Sequence, residues 1–238
     1  MDILSRIFAS VLLILLSPFL ILISILSLMY QGRPIIYKQE RVGINFIPFT
    51  IYKFRSMCVS SDGINSFSTG EKYKATKWGN FIRQTKIDEI PQLYNIIRGD
   101  MSFIGPRPEL LEFVNYSSFK YLDKIKPGLS CYSTILFRDE SQNFEFINSE
   151  NSYEQVLKIK TCLDNYYLNK KSIREDLKLI LLTVLSIFFP KLMTKFFVDY
   201  YIKLYNQNKF QLSNDIEKNI QIQVDADSKN TLLRSNIN

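Results

Sequence analysis

The sequence predicts a small α/β domain that follows a long apolar helix. Three observations point to this fold class. Residues 7–30 form an uncharged apolar run, residues 35–57 contain two strand-like segments, and helical patterns recur between residues 78 and 205. The chain has 238 residues, 46% of them hydrophobic, which is enough to build a folded core.

The apolar run of residues 7–30 would form about 36 Å of helix, more than the roughly 30 Å of a bilayer core. The run is too long for the apolar part of a secretory signal peptide, and no small-residue cleavage site follows it. We therefore expect this segment to remain on the protein and to hold it at a membrane.

The dipeptide Ser17-Pro18 lies in the middle of this run. Proline removes a backbone donor and predicts a kink, and the Ser17 hydroxyl can bond to the carbonyl that is freed. Two paths are compatible with such a helix: a kinked span, or a re-entrant helix that returns to the same face. Basic residues are more frequent after the run than before it, so either path leaves the main domain in the cytosol.

Composition limits the chemistry that is open to this protein. The sequence contains no histidine, which excludes an imidazole base, a Ser-His pair and a His-ligated metal. The net charge of +7 suits an anionic partner such as a phosphate ester or an acidic lipid headgroup. Nucleic acid is disfavoured, because no long basic stripe is present. We expect the three cysteines, Cys58, Cys131 and Cys162, to be reduced core thiols.

Residues 35–57 predict a strand pair around a turn at Asn45–Pro48. In the second strand, a period of two places Lys53 and Arg55 on one face. Two cations in this arrangement can hold a phosphate group. A solvated strand edge is the alternative, and the spacing by itself favours that alternative.

A short helix is predicted from Trp78 to Gln84, and a second helix ends at Gly99. Asp88, or a residue very near it, is the preferred N-cap of the second helix, because Pro91 then falls in the first turn, where its missing N–H is no loss. An N-cap at Thr85 would place Pro91 in the helix interior. Helix N-termini attract anions, so Asp88 and Glu89 would lie where a phosphate can also bind. A plain capping role is the alternative.

Further along the chain, Arg107 stands between two prolines, on a stiff loop that suits bidentate binding of a phosphate. A surface salt bridge is the alternative. The next predicted elements are a helix from Glu109 to about Leu122, a turn and strand in residues 126–140, and helices at about 151–170 and 173–205. Lysines alternate with aromatic residues in the last helix, which suits a membrane interface as well as packing on the core.

Three segments together resemble a known enzyme family. They are KQERVGINFIPFTIYKFRSM, DEIPQLYNIIRGDMSFIGPRPEL and KPGLS, and with the Ser-Pro helix they resemble the small monotopic phosphoglycosyl transferases among the bacterial sugar transferases. The resemblance covers about residues 1–200. It implies a small α/β membrane-associated domain with a re-entrant N-terminal helix, kinked at Ser17-Pro18, and interfacial amphipathic helices.

The resemblance also implies an activity. Such enzymes transfer a phosphosugar from a UDP-sugar to a polyprenyl (undecaprenyl) phosphate and release UMP. They lie on the cytosolic face of the bacterial inner membrane and begin the assembly of surface glycans. The implied partners are the UDP-sugar donor, the lipid acceptor and the membrane, with no nucleic acid, and the implied cofactor is Mg²⁺.

Residue roles follow from the resemblance by position. Asp88 would be the nucleophile that forms a phosphosugar-aspartyl intermediate, and Glu89 would assist the acceptor or the metal, which Asp88 would help to hold. The remaining positions that match family phosphate or nucleotide contacts are Lys53, Arg83 and Arg107. Arg55 is a further phosphate-binding candidate, because it shares a strand face with Lys53. The pattern departs from many members after Pro127-Gly128, which affects the expected sugar pocket.

The expected organisation has three parts. Residues 1–32 are the re-entrant membrane helix, residues 33–205 the cytosolic catalytic domain, and residues 206–238 a polar tail. The P-loop and the dinucleotide-binding glycine motif are both absent from the sequence. A membrane-anchored scaffold of the same fold without catalytic activity is the alternative to an enzyme.

Overall fold

The computed structural model describes residues 2–57, 76–137 and 152–189, together with residues 192, 193 and 196. The chain divides into two compact units. The first comprises Met1–Phe103 and Pro108–Val114, and the second comprises Ile104–Arg107 and Asn115–Asn238. The predicted tail at residues 206–238 lies outside the described residues.

The described residues contain both helices and strands, and the strands form two sheets of two strands each. The first part contains α1 (Asp2–Gln31), β1 (Ile36–Val42), β2 (Pro48–Phe54), α2 (Lys77–Gln84), α3 (Leu93–Arg98) and β3 (Ser102–Ile104). The later elements are β4 (Gly128–Ser130), α4 (Tyr132–Leu136), α5 (Ser152–Lys170) and α6 (Ile173–Phe188).

Helix α1 is long and apolar enough to cross a membrane, and it is the single helix of that kind in the described ranges. Only 11% of its most apolar stretch is buried by the rest of the protein. Ser17 Oγ donates to Ile14 O at 2.7 Å. Ile14 O is the carbonyl that residue 18 would bond if it were not proline, so the predicted compensation by Ser17 is present. The helix is continuous through Pro18, and the re-entrant path stays a prediction.

The predicted strand pair is confirmed. Strands β1 and β2 are antiparallel, with Ile36 opposite Phe54 and Val42 opposite Pro48. A short 3₁₀ turn at Ile44–Phe46 joins them. Pro48 occupies the first position of β2, where the absence of a backbone donor is tolerated.

Both ends of α1 are held by other elements of the first unit. Near its start, Arg6 Nε donates to Ile97 O of α3 at 2.7 Å. Near its end, Ile23 packs with Phe54 of β2 and Ile82 of α2, all three of them buried. One unit therefore holds the two ends of the apolar helix.

In the second unit, hydrogen bonds between polar side chains connect helices α4, α5 and α6. Asp164 of α5 is 2% exposed and accepts hydrogen bonds from Tyr121 and Ser133. Tyr167 donates to Asp176 of α6 at 2.6 Å. Satisfied polar pairs of this kind keep buried carboxylates from destabilising the unit.

One predicted element is wrong, and a second is confirmed only in part. Residues 109–122 do not form one helix but two short 3₁₀ turns, Leu111–Phe113 and Lys120–Asp123. Between them, Asn115 Oδ1 accepts hydrogen bonds from the Ser117 hydroxyl and from the Ser118 N–H, and this local turn competes with helix formation.

The strand predicted in residues 126–140 is limited to Gly128–Ser130, and α4 follows it. The helix forms because Tyr132 and Ile135 are buried within the second unit, against the strand preference of their side chains. Residues 138–140 lie outside the described part.

The other predicted helices are confirmed, α2 and α5 to within a residue or two. Helix α6 begins where predicted and is described as far as Phe188. It exposes a row of large apolar side chains: Ile173, Leu177, Ile180, Leu181, Val184, Ile187 and Phe188. This surface fits the predicted interfacial helix, and the remainder of the predicted segment lies mostly outside the described residues.

The structure describes two of the three cysteines, and both are free thiols. Cys131 is buried and Cys162 is half-buried. Burial raises the pKa of both thiols, and the carboxylate of Asp164 adds to the increase. This environment agrees with reduced, unreactive core cysteines. Cys58 lies outside the described residues.

Candidate functional site

Asp88 and Glu89 lie in a 3₁₀ helix, Ile87–Gln92, that leads directly into α3. The N-cap lies two residues before the preferred position at Asp88. The cap is Lys86, in the left-handed conformation with φ 60°, and Asp88 is the second helical residue. In a regular α-helix the Pro91 ring would clash with the carbonyl of Ile87, and the tighter 3₁₀ turn avoids this contact.

The position within this turn determines the environment of each carboxylate. Asp88 is only 7% exposed. The Glu89 side chain is 13% exposed and lies between two lysines, since the Nζ atoms of Lys53 and Lys86 are each 3.8 Å from its Oε1. Strand β2 and the residue before the 3₁₀ helix thus place two positive charges directly beside Glu89. Such an arrangement is suited to a substrate that carries several negative charges.

Lys86 was not singled out from the sequence, although it belongs to this charge cluster. Its spacing of three residues from Glu89 was the available signal, because i,i+3 pairs lie on one helix face. Its left-handed backbone, by contrast, has no sequence signature here, since non-glycine residues adopt it rarely.

A second residue that sequence reasoning missed is Asn95 of α3, which is fully buried. Its Nδ2 donates to Thr50 O at 2.7 Å, and its Oδ1 accepts from the Tyr52 N–H at 3.2 Å. The amide thereby bonds the free edge of β2 as a neighbouring strand would. Asn95 therefore connects β2, which carries Lys53, to α3, the helix that follows Asp88 and Glu89.

Arg55 lies just beyond β2 and is 7% exposed. Its guanidinium donates to three backbone carbonyls at the end of α1, those of Gln31, Gly32 and Arg33. A cation at a helix C-terminus satisfies carbonyls that have no intrahelical partner. These contacts favour an anchoring role for Arg55, and its predicted phosphate contact stays a prediction.

The substitution Arg55→Met separates these two roles. We expect it to lower the free energy of unfolding by about 3 kcal/mol, because three partly buried hydrogen bonds lose their charged donor. Thermal denaturation in detergent measures this loss. The matched control is Arg98→Met, whose half-exposed side chain pairs with Asp100 at 3.2 Å and should contribute under about 1 kcal/mol. Unchanged stability with a raised KM for the sugar nucleotide would instead indicate phosphate binding.

Arg83 and Arg107, the other two predicted phosphate contacts, belong to different units of the chain. Arg83 is half-buried in the last turn of α2, five residues before Asp88. Arg107 is half-buried in the second unit, where the neighbouring Pro106 O accepts from Gly128 N at 2.8 Å. Their predicted contacts with phosphate remain predictions.

The predicted Mg²⁺ requires side chains that can bind it. Among the described residues there is no group of three or more His, Cys, Asp or Glu side chains that could surround an ion. Mg²⁺ is commonly bound by one or two carboxylates together with substrate phosphates. The adjacent carboxylates of Asp88 and Glu89 fit that mode of binding, which requires no protein cage.

Comparison with known proteins identifies relatives over most of the chain. The model of the family "Bacterial sugar transferase" matches residues 1–190. The uncharacterized sugar transferase EpsL of Bacillus subtilis is 36% identical over 155 residues, which are 64% of this chain and 69% of EpsL.

Two relatives have more specific names. The UDP-N-acetylgalactosamine-undecaprenyl-phosphate N-acetylgalactosaminephosphotransferase of Aeromonas hydrophila is 31% identical over 193 residues, 79% of this chain. The UDP-glucose:undecaprenyl-phosphate glucose-1-phosphate transferase of Escherichia coli is 30% identical over 190 residues, 77% of this chain. The matched part spans only 42% and 39% of these two relatives.

Proposed function

Because this chain belongs to the bacterial sugar transferase family, we propose that it transfers a phosphosugar from a UDP-sugar to a polyprenyl phosphate and releases UMP. The observation that carries the proposal is the acidic pair Asp88 and Glu89 in one tight turn, with Lys53 at 3.8 Å from Glu89. The names of the relatives from Aeromonas hydrophila and Escherichia coli support the donor and acceptor classes.

In the proposed first step, a carboxylate oxygen of Asp88 attacks the phosphorus that bears the sugar. The bond from this phosphorus to the bridging oxygen breaks, UMP leaves with the electron pair, and a phosphosugar-aspartyl intermediate forms. In the second step, a phosphate oxygen of the lipid attacks the same phosphorus and displaces the Asp88 carboxylate. The product is a polyprenyl diphosphosugar.

Positive charge is required because a carboxylate is a weak nucleophile towards an anionic diphosphate. Lys53 and Lys86 flank Glu89 and reduce the repulsion between the two acids and the incoming phosphates. Arg83 and Arg107 are proposed to bind the phosphates of the nucleotide or of the lipid, and Arg55 is retained as a third candidate for this contact.

We include Mg²⁺ in the proposal, held by Asp88 with assistance from Glu89 and completed by substrate oxygens. When bound, the ion neutralises part of the diphosphate charge. The chain's own contribution is the orientation of both carboxylates by the 3₁₀ turn, which places Asp88 in a largely water-excluded position.

The proposed location is the cytosolic face of the bacterial inner membrane, with α1 as a re-entrant helix. Contacts at both ends of α1 support this path. Arg6 bonds α3 and Ser27 bonds α2 within the same unit, so the two ends of the helix belong on the same side of a bilayer. Helix α6 would lie in the interface with its exposed apolar row in contact with lipid.

The test is UMP release by the full chain in detergent, with Mg²⁺, undecaprenyl phosphate and a panel of UDP-sugars. We expect repeated turnover with one or few sugars and only when the lipid phosphate is present, because without it the reaction stops after one UMP per protein. UDP-glucose and UDP-N-acetylgalactosamine belong in the panel because relatives are named for them. Repeated turnover of UMP release without the lipid acceptor would contradict the proposal.

A further inference from the structure

Three aromatic rings lie in a row beside the end of α1, each in contact with the next. The centroids of Tyr30 and Trp78 are 5.7 Å apart with an interplanar angle of 24°, and those of Trp78 and Phe81 are 5.6 Å apart at 30°. Tyr30 is 65% exposed and Phe81 is 49% exposed. This aromatic row (Tyr30, Trp78, Phe81) therefore presents two exposed rings on either side of the half-buried Trp78.

The row is rigidly joined to the end of the apolar helix. Trp78 Nε1 donates to Ser27 Oγ of α1 at 3.0 Å, and Gln31 Nε2 donates to Thr76 Oγ1 at 2.7 Å. Thr76 is the N-cap of α2 and also accepts from Gly79 N. Two hydrogen bonds thus connect the last turns of α1 to the first turn of α2, so both must lie at the same depth relative to a bilayer.

The sequence changes from apolar to polar residues at the end of α1, next to the aromatic row. Met29 is 75% exposed and belongs to the uncharged apolar run, whereas Gln31 and Arg33 just beyond it are polar. Tyr and Trp rings with polar tips concentrate where hydrocarbon meets the lipid headgroups. The aromatic row occupies this same boundary along α1.

We propose that the aromatic row is a membrane-docking surface that lies at the boundary between headgroups and acyl chains and sets the depth of α2. This inference rests on the insertion of α1 that is part of the proposed function. The partner is the bilayer surface itself, and the contact would be made by the exposed faces of Tyr30 and Phe81.

The depth of α2 would determine access to the lipid acceptor. Arg83 lies in the last turn of α2, two residues after Phe81. A polyprenyl phosphate keeps its chain in the acyl layer and its charged group in the headgroup layer. A row docked at the boundary therefore holds Arg83 at the depth where the phosphate of such a lipid lies.

Trp78 is the only tryptophan in the sequence, so the native protein carries its own depth probe. We would measure Trp fluorescence of the full chain in vesicles of phosphatidylethanolamine and phosphatidylglycerol. The lipids would carry bromine either near the headgroup or near the chain end. We expect an emission maximum at shorter wavelength than that of the unfolded chain, and a larger loss of fluorescence with bromine near the headgroup.

The substitution Phe81→Ser, which leaves the probe in place, should shift Trp78 emission to longer wavelength and weaken quenching by the brominated lipids. The matched control is Tyr116→Ser, which removes an aromatic ring that is 60% exposed on a loop of the second unit. This control should leave both readouts of Trp78 unchanged.

The outcomes distinguish the inference from the proposed function. If the chain binds vesicles but Trp78 is quenched by aqueous iodide and not by either brominated lipid, the docking surface is overturned and α1 insertion stands. Stronger quenching from the chain end would likewise overturn a docking surface at the boundary. Failure of the chain to bind vesicles would overturn the membrane topology of the proposed function and the inference with it.

Discussion

Asp88→Asn is expected to abolish UMP release while the protein remains folded and bound to membranes. The amide has nearly the same shape as the carboxylate, but it cannot serve as the nucleophile of a covalent step. We expect turnover to fall by at least about a thousandfold, as when other nucleophiles are removed. The measurement is UMP release with the preferred UDP-sugar, together with thermal denaturation to establish that the variant is folded.

The matched control is Asp123→Asn, in which an exposed carboxylate that accepts a hydrogen bond from Tyr116 is replaced. It should retain turnover. Substantial turnover in Asp88→Asn would contradict the covalent mechanism. If the folded, membrane-bound wild type released no UMP from any UDP-sugar, the non-catalytic scaffold would become the better interpretation.

Gly79→Ala is expected to have the largest effect on stability. A Cβ atom at this position would lie 1.9 Å from the backbone oxygen of Ser56 and 2.8 Å from Gln31 Nε2. Because the first neighbour is backbone, α2 would have to move away from the end of β2. We expect the free energy of unfolding to fall by about 3 kcal/mol or more.

Thermal denaturation in detergent, followed by Trp78 fluorescence, measures this change. Asn80→Ala is the matched control, since it alters the next residue of the same helix at an exposed position. Its effect should stay within about 0.5 kcal/mol. Equal stability of Gly79→Ala and the wild type would contradict the close approach of α2 to Ser56.

Local pattern was enough to predict several elements. The uncharged run predicts α1, and alternation predicts the strand pair β1 and β2. Gly99 ends α3 with φ 89°, as predicted from its position after an apolar helix. The acidic pair was also singled out from the sequence, whereas Lys53 was predicted only as a phosphate contact by resemblance, and its ion pair with Glu89 was not predicted.

Other features depend on contacts between residues distant in the sequence. Arg55 was predicted to share a face with Lys53, yet its guanidinium bonds the end of α1, more than twenty residues earlier. Asn95 stands in an apolar helical pattern, and only the packed structure shows that its amide bonds the edge of β2.

The sequence alone determined which segments are apolar, where glycine and proline interrupt them, and which residue types are able to carry phosphate chemistry. Only the tertiary structure decided that the acidic turn begins at a left-handed Lys86, that residues 132–136 are helical, and that one unit holds both ends of α1. The physical reason is how far apart in the sequence the interacting residues lie. Helix stops and strand alternation act within a few residues, whereas capping by a distant arginine or amide exists only once the core has brought those segments together.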